Sequence, residues 1–209
     1  MKKIALMGLG VFIWLFSCVA LAADERPAPV VMLQNTSDQV LASLKQNKAS
    51  LKTSRKLVYQ IVDNILLPHV DLTGMARSVL GRDVWKSATD AQKQKFTAEF
   101  KDLLIRTYAS AFSKYSNQTV EIFPIRGGLS ADQTRVQVNS QIVQQDGPPI
   151  PVNYRLVKQG NDWKVYDFSV EGISMLESFH SQFANELNQG NLDQLINRLA
   201  QHNERPPRS

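Results

Sequence analysis

Apolar residues recur at helical spacing in the first half of this chain, at every second position in the middle, and at helical spacing again near its end. Residues 23–35, with Pro27, Pro29 and little periodicity, read as a flexible lead-in. Thr36 or Ser37 can cap a first short helix, which carries Val40, Leu41 and Leu44 on one side. Leu57, Val58, Ile61, Val62, Ile65 and Leu66 predict a helix over 55–67 with a wide buried face. Pro68 ends it, because proline disfavours helical backbone in the residue before it. Val70, Leu72, Met75, Ala76, Val79 and Leu80 mark a further short helix that Gly81 fits as C-terminal cap. Thr89 and Gln92 form a capping-box pattern opening a long helix to about Tyr115. Phe96, Phe100, Leu103, Leu104, Tyr108 and Phe112 lie on its stripe.

After Asn117 the period becomes two. Val120 and Ile122 mark one strand; Val136, Val138, Ser140 and Ile142 share a face of a second; Ile150, Val152, Tyr154 and Leu156 share a face of a third. In the fourth, 163–170, Tyr166, Phe168 and Val170 fall on one face and Val165, Asp167 and Ser169 on the other. Phe168 is assigned to the inner face, with Val165 and Asp167 competing for it. Turn sequences at 146–149 and 159–162 make the last three strands an antiparallel meander. Glu171-Gly172 then breaks the period, and Ile173, Leu176, Phe179, Phe183 and Leu187 give a helical stripe that Gly190 closes. Asn191 caps a last helix, 192–200, with Leu192, Leu195, Ile196 and Leu199 as its stripe; 201–209 reads as a disordered tail. Helices, about four antiparallel strands, then helices make an α+β fold, with the helices on one face of a curved sheet.

The N-terminus changes the setting. Lys2 and Lys3 precede an uncharged apolar run, and Ala20-Leu21-Ala22 follows it, so 1–22 reads as a secretory signal peptide cleaved between Ala22 and Ala23. The competing readings are a membrane anchor and a lipoprotein acylated at Cys18, although Phe16 is bulky for the latter. Cys18 is the one cysteine, so an exported chain of this kind would fold without a disulfide around one core, over 23–200. Losing Lys2 and Lys3 lowers the formal charge from +5 to +3. That mild excess suits contact with anionic membranes and falls short of a nucleic-acid footprint.

Candidate chemistry is sparse. His69, His180 and His202 are far apart and fit no metal-ligand spacing, and no nucleophile elbow or phosphate-cradling loop is present. Asp167 is the best candidate for a buried acid, either a paired structural carboxylate or a general base. The apolar faces are numerous enough to form a plain core or to enclose a cavity, and their spacing leaves both open.

A resemblance bears on that choice. The run 61–68 (Ile-Val-Asp-Asn-Ile-Leu-Leu-Pro), then Val79-Leu80-Gly81, Trp85-Lys86-Ser87-Ala88-Thr89, Gln92 and Phe96 resemble the MlaC family of periplasmic phospholipid-shuttle, or toluene-tolerance, proteins. So do Phe100, Leu103, Leu104, Thr107-Tyr108 and Tyr115, and then Trp163-Lys164-Val165-Tyr166-Asp167 with Glu171-Gly172-Ile173-Ser174-Met175. The resemblance covers about 57–183 and stops short of the tail. It implies an NTF2-like fold with a deep apolar pocket for phospholipid acyl tails, no cofactor and no metal. It further implies exchange with an outer-membrane lipoprotein complex and an inner-membrane ABC transporter carrying an MCE-domain ring, in the service of outer-membrane lipid asymmetry. A monomer in the periplasm is expected.

On the helices, the pocket lining is assigned to Leu66, Val79, Phe100, Leu103, Leu104 and Tyr108. On the sheet and the segment after it, it is assigned to Val138, Val152, Tyr154, Leu156, Phe168, Val170, Ile173 and Met175. No tight run of Arg or Lys marks a headgroup site, so weak headgroup selectivity is expected. Two other readings stay in play: an NTF2-like enzyme on a small apolar substrate with Asp167 as general base, and a periplasmic adaptor with a filled core.

Overall fold

The computed structural model describes residues 26–51, 54–115 and 117–205; the signal peptide read over 1–22, with Cys18, and residues 206–209 lie outside them. The first helix, α1 (Ala28–Gln46), starts well before Thr36, inside the stretch expected to be a flexible lead-in. Pro27 is its N-cap and Pro29 falls in its first turn, where a missing N–H leaves no hydrogen bond unmade. Burial holds the early turns in place: Val30 and Leu33 are 2% and 5% exposed, packed with Val138 and Leu156 of the sheet.

The helix expected over 55–67 changes pitch twice. Ser54 caps α2 (Arg55–Ile61) by accepting the Leu57 N–H at 3.3 Å. A π turn follows at Val62–Leu66, closed by the Leu67 N–H on the Val62 carbonyl, and then a 3-10 turn at Leu67–His69 that contains Pro68. In α3 (Leu72–Leu80), Asp71 caps the start through the Gly74 N–H at 3.0 Å, and Gly81 ends it at φ +81°. A six-residue helix, α4 (Arg82–Ser87), was too short to leave a stripe in the sequence. The capping box on α5 (Asp90–Ser113) forms as expected: Gln92 N–H donates to Thr89 Oγ1 at 3.2 Å, and Thr89 N–H donates to Gln92 Oε1 at 2.9 Å.

Strands β1 (Thr119–Ile122), β2 (Arg135–Val143), β3 (Ile150–Gln159), β4 (Asp162–Val170) and β5 (Ile173–Ser174) form one antiparallel sheet in chain order. The two-residue β5 is additional to the four strands expected. Glu171 and Gly172, both at positive φ, turn the chain so that Ile173 pairs back on Val170. The following helix therefore starts at Met175 rather than at Ile173: α6 (Met175–Asn188) has Ser174 as N-cap. Asn191 and Gln194 form a second capping box on α7 (Leu192–Glu204). This helix continues past Ala200 into the stretch read as a tail. Asn203 fastens it to α5, donating to the Glu99 carbonyl at 2.9 Å and accepting Arg106 Nη1 at 2.7 Å.

A bulge settles the inner face of β4. Arg155 pairs with Asp167 but Leu156 pairs with Val165, so Tyr166 is an extra residue on β4. Residues directly opposite on neighbouring strands share a face, giving rows Val136–Leu156–Val165, Val138–Tyr154–Phe168 and Ser140–Val152–Val170. Val165 and Phe168 thus both face inward, although strict alternation would separate them.

Among the described residues, the interior divides into three clusters. In the first, α3, α5, α6 and α7 surround an aromatic group in which Phe96, Phe100, Phe179 and Phe183 meet at ring distances of 5.5–6.1 Å. The second joins α1 to the sheet through Val30, Leu33, Val136, Val138, Leu156, Trp163 and Val165. The third packs the end of α1 and the α2 segment on α5, around Leu44, Val58, Ile61 and Ile105.

Candidate functional site

Helix α5 is buried on two sides. Leu103 belongs to the aromatic cluster and Ile105 to the third cluster. Leu104 and Tyr108 lie against the first, and the Tyr108 ring meets Phe168 of β4 at 5.4 Å and 65°, edge to face. Phe168 is opposite Tyr154, which packs against the second cluster. This run of contacts joins the helices to the inner face of the sheet.

Tyr154 shows the character of the place. It lies deep in the protein, and burial pushes its phenol pKa up, with a smaller opposing effect from its hydrogen bond to Ser140. The Ser140 hydroxyl donates its hydrogen bond to the Val152 carbonyl at 2.8 Å. Yet Tyr154 retains accessible surface. Tyr108 is shallower; burial and the charge of Asp167 raise its pKa too.

Accessible surface sorts the expected lining residues, since a side chain with none touches no space that water enters. Leu66, Leu104, Tyr108, Tyr154, Phe168 and Val170 are part-accessible. Leu103, Val152 and Met175 are 7%, 5% and 3% exposed. Val79, Phe100, Val138 and Leu156 have 0% and are core fill in this conformation. Ile173 is 70% exposed on the edge strand and does not face the interior, because the turn at 171–172 aims Ser174 inward in its place.

Asp167 is a structural carboxylate. It is 1% exposed, and its oxygens take the Ser174 hydroxyl at 2.8 Å, the Leu176 N–H at 3.1 Å and the Arg155 guanidinium at 3.4 Å. A base with both oxygens engaged and no surface has no position from which to meet a substrate. His180 pins α6 to α3, its Nδ1–H donating to the Val79 carbonyl at 3.0 Å. His69 is half-buried at the 3-10 turn and His202 is exposed on α7. Among the described residues, no three His, Cys, Asp or Glu side chains gather as metal ligands, and no helix is long and apolar enough to cross a membrane.

A groove lies elsewhere on the surface. It encloses about 560 Å³ between α3, α4 and the start of α5 and is lined by Arg77, Arg82, Lys86, Lys93 and Trp85. No run of basic residues announced it, because the cations come from three helices and only folding gathers them. Their spacing around Gly81 was the available signal.

Residues 34–201 match the family model of the MlaC protein. A toluene tolerance protein of Pseudomonas putida is 31% identical over 198 residues, covering 94% of this chain and 89% of its own. The intermembrane phospholipid transport system binding protein MlaC of Haemophilus influenzae is 30% identical over 191 residues, 90% of this chain and 88% of its own. Among solved structures, the phospholipid-binding protein of Ralstonia solanacearum, in complex with a phospholipid, aligns with a TM-score of 0.78 at 34% identity, over 85% of this chain and 97% of that one.

Proposed function

Because the chain belongs to the MlaC family, we propose that it is a periplasmic phospholipid carrier. It holds acyl tails in the apolar seam beside α5, leaves the headgroup in water, and moves lipid between outer- and inner-membrane complexes. The observation that carries this reading is the run from Tyr108 through Phe168 to Tyr154, part-accessible side chains that join helix α5 to the inner face of the sheet. The phospholipid held by the Ralstonia relative supports it.

Leu66, Leu104, Tyr108, Tyr154, Phe168 and Val170 are the proposed tail contacts, with Leu103, Val152 and Met175 beside them. Val79, Phe100, Val138 and Leu156 stand behind this layer and meet a tail only where packing opens. A diacyl lipid has about thirty methylenes, each worth roughly 0.8 kcal/mol out of water. Their sum of about 24 kcal/mol exceeds the practical ceiling of roughly 18–21 kcal/mol. Opening the seam and ordering the chains must offset part of it. A bilayer is as dry as the seam, so exchange between the two is nearly balanced while escape into water is slow. Such a carrier loads poorly alone, and this supports partners at each membrane: an outer-membrane lipoprotein complex and an inner-membrane ABC transporter with an MCE-domain ring. Export as a monomer after cleavage at Ala22 completes the reading; an intact mass beginning at Ala23 tests that step, and a diacylated Cys18 overturns it.

Native mass spectrometry of the gently purified protein is the deciding experiment. Bound phospholipid is the expected result. A protein that carries none is the adaptor of the alternative reading, and an apolar metabolite turned over by the protein is the substrate of an enzyme.

A further inference from the structure

The groove between α3, α4 and α5 has a lining of one sign. Arg77 comes from the last turn of α3, Arg82 and Lys86 from α4, and Lys93 from the first turn of α5. Arg77, Arg82 and Lys86 are exposed, and none has an acidic partner among the described residues. Asp83, the acid of α4, is absent from the lining, and Asp90 pairs only with Lys93, at 3.2 Å. Trp85 forms the apolar part of the groove, half-buried, with the Lys93 ammonium 6.0 Å from its ring.

Unpaired like charges repel one another, and an anion removes that repulsion. The guanidinium fork of arginine matches phosphate oxygens, and a tryptophan beside such cations sits well at the headgroup level of a bilayer, apolar body inward and N–H outward. We propose that this groove seats the phosphate headgroups of an acidic phospholipid bilayer, so that the protein rests on the membrane by its α3–α4 face. The proposal rests on the carrier reading for its purpose, since a lipid carrier has to meet a membrane surface. Its chemistry is separate. Lys93 and Tyr108 stand about 22 Å apart along α5 at the rise of an α-helix, so the surface site and the tail seam occupy opposite ends of that helix.

The test is flotation of the mature protein with phosphatidylglycerol–phosphatidylethanolamine vesicles and with phosphatidylcholine vesicles, at low and high salt. The protein should float with the acidic vesicles only and release with salt. Brominated acyl chains should quench Trp85 on flotation, while Trp163, 6% exposed in the cluster beside Tyr154, reports separately on a brominated tail taken into the seam. One cation near an anionic surface is worth about fivefold in partitioning, so Arg82→Gln with Lys86→Gln should lower it about 25-fold. The matched control, Lys45→Gln in the last turn of α1 with Lys48→Gln in the turn just after it, should stay near wild type. Circular dichroism confirms folding, and lipid per protein, measured separately, should be equal in all variants. Equal loss in both double variants, or no flotation of wild type, overturns the proposal. Binding of inorganic phosphate without flotation, or of an acidic protein surface in its place, does so as well. A wild type without cargo lipid that still floats sinks the carrier reading and leaves the surface site standing.

Discussion

The Asp167 carboxylate accepts the backbone N–H of Leu176 at 3.1 Å, so the last long strand caps the helix that follows it. Its other oxygen takes the Ser174 hydroxyl, which in turn accepts the Glu177 N–H at 3.2 Å. Two of the unpaired donors in the first turn of α6 are satisfied this way, and Arg155 balances the charge. Asp167→Ala leaves buried donors unpaired and should cost about 1–3 kcal/mol. Urea unfolding measures it, and lipid per folded molecule should hold at the wild-type level. A variant as stable as wild type would show the clamp to be idle.

Tyr166 and Phe168 test the bulge. Tyr166 projects outward under the Arg135 guanidinium, 5.5 Å from its ring, and Tyr166→Ala should cost about 0.5–1 kcal/mol. Phe168 lies inward against Tyr108, and Phe168→Ala should cost about 2–3 kcal/mol, less than full burial would give. The reverse order of stabilities in denaturant would mean that the bulge is misplaced.

Narrowing the seam should cost cargo before it costs the fold. Leu104→Trp and Val152→Trp place an indole among the proposed tail contacts, with overpacking of about 1–3 kcal/mol. Lipid per protein should fall in mass spectra while circular dichroism still shows a folded chain. Folded variants with full cargo would place the tails elsewhere.

Burial lowers the pKa of His69 from its ordinary 6.5, with help from Lys164 and against a smaller pull from Asp162. The folded value lies below the unfolded one, so the unfolded chain takes up this proton first as pH falls. The stabilisation is present above the unfolded pKa and is lost as pH drops through the folded pKa. Melting temperature between about pH 8 and 5 should decline, and His69→Gln should flatten the part of the decline below 6.5. An unchanged slope in the variant would assign the decline to other groups.

What the sequence determined by itself is what a few neighbouring residues decide. Thr89 with Gln92 and Asn191 with Gln194 cap their helices through bonds three residues long, so the first box and the Asn191 cap were legible, while Gln194's part in a second box came from the structure. The stripe of α5 and the alternation of β2 and β3 were legible for the same reason, and with them the α+β class. The tertiary structure decided everything that rests on distant partners. Helix α1 begins at Ala28 because Val30 and Leu33 meet Val138 and Leu156, more than a hundred residues away. Val165 and Phe168 share a face because β3 pairs around Tyr166, which no periodicity in β4 alone reveals. Ile173 leaves the helical stripe because the turn at Glu171–Gly172 returns it to the sheet edge. Arg77, Arg82, Lys86 and Lys93 become one groove because three helices converge at Gly81. Local bonds need only the right residue at the right spacing. Burial and charge clustering depend on which surfaces the finished fold brings together, and that information is spread over the whole chain.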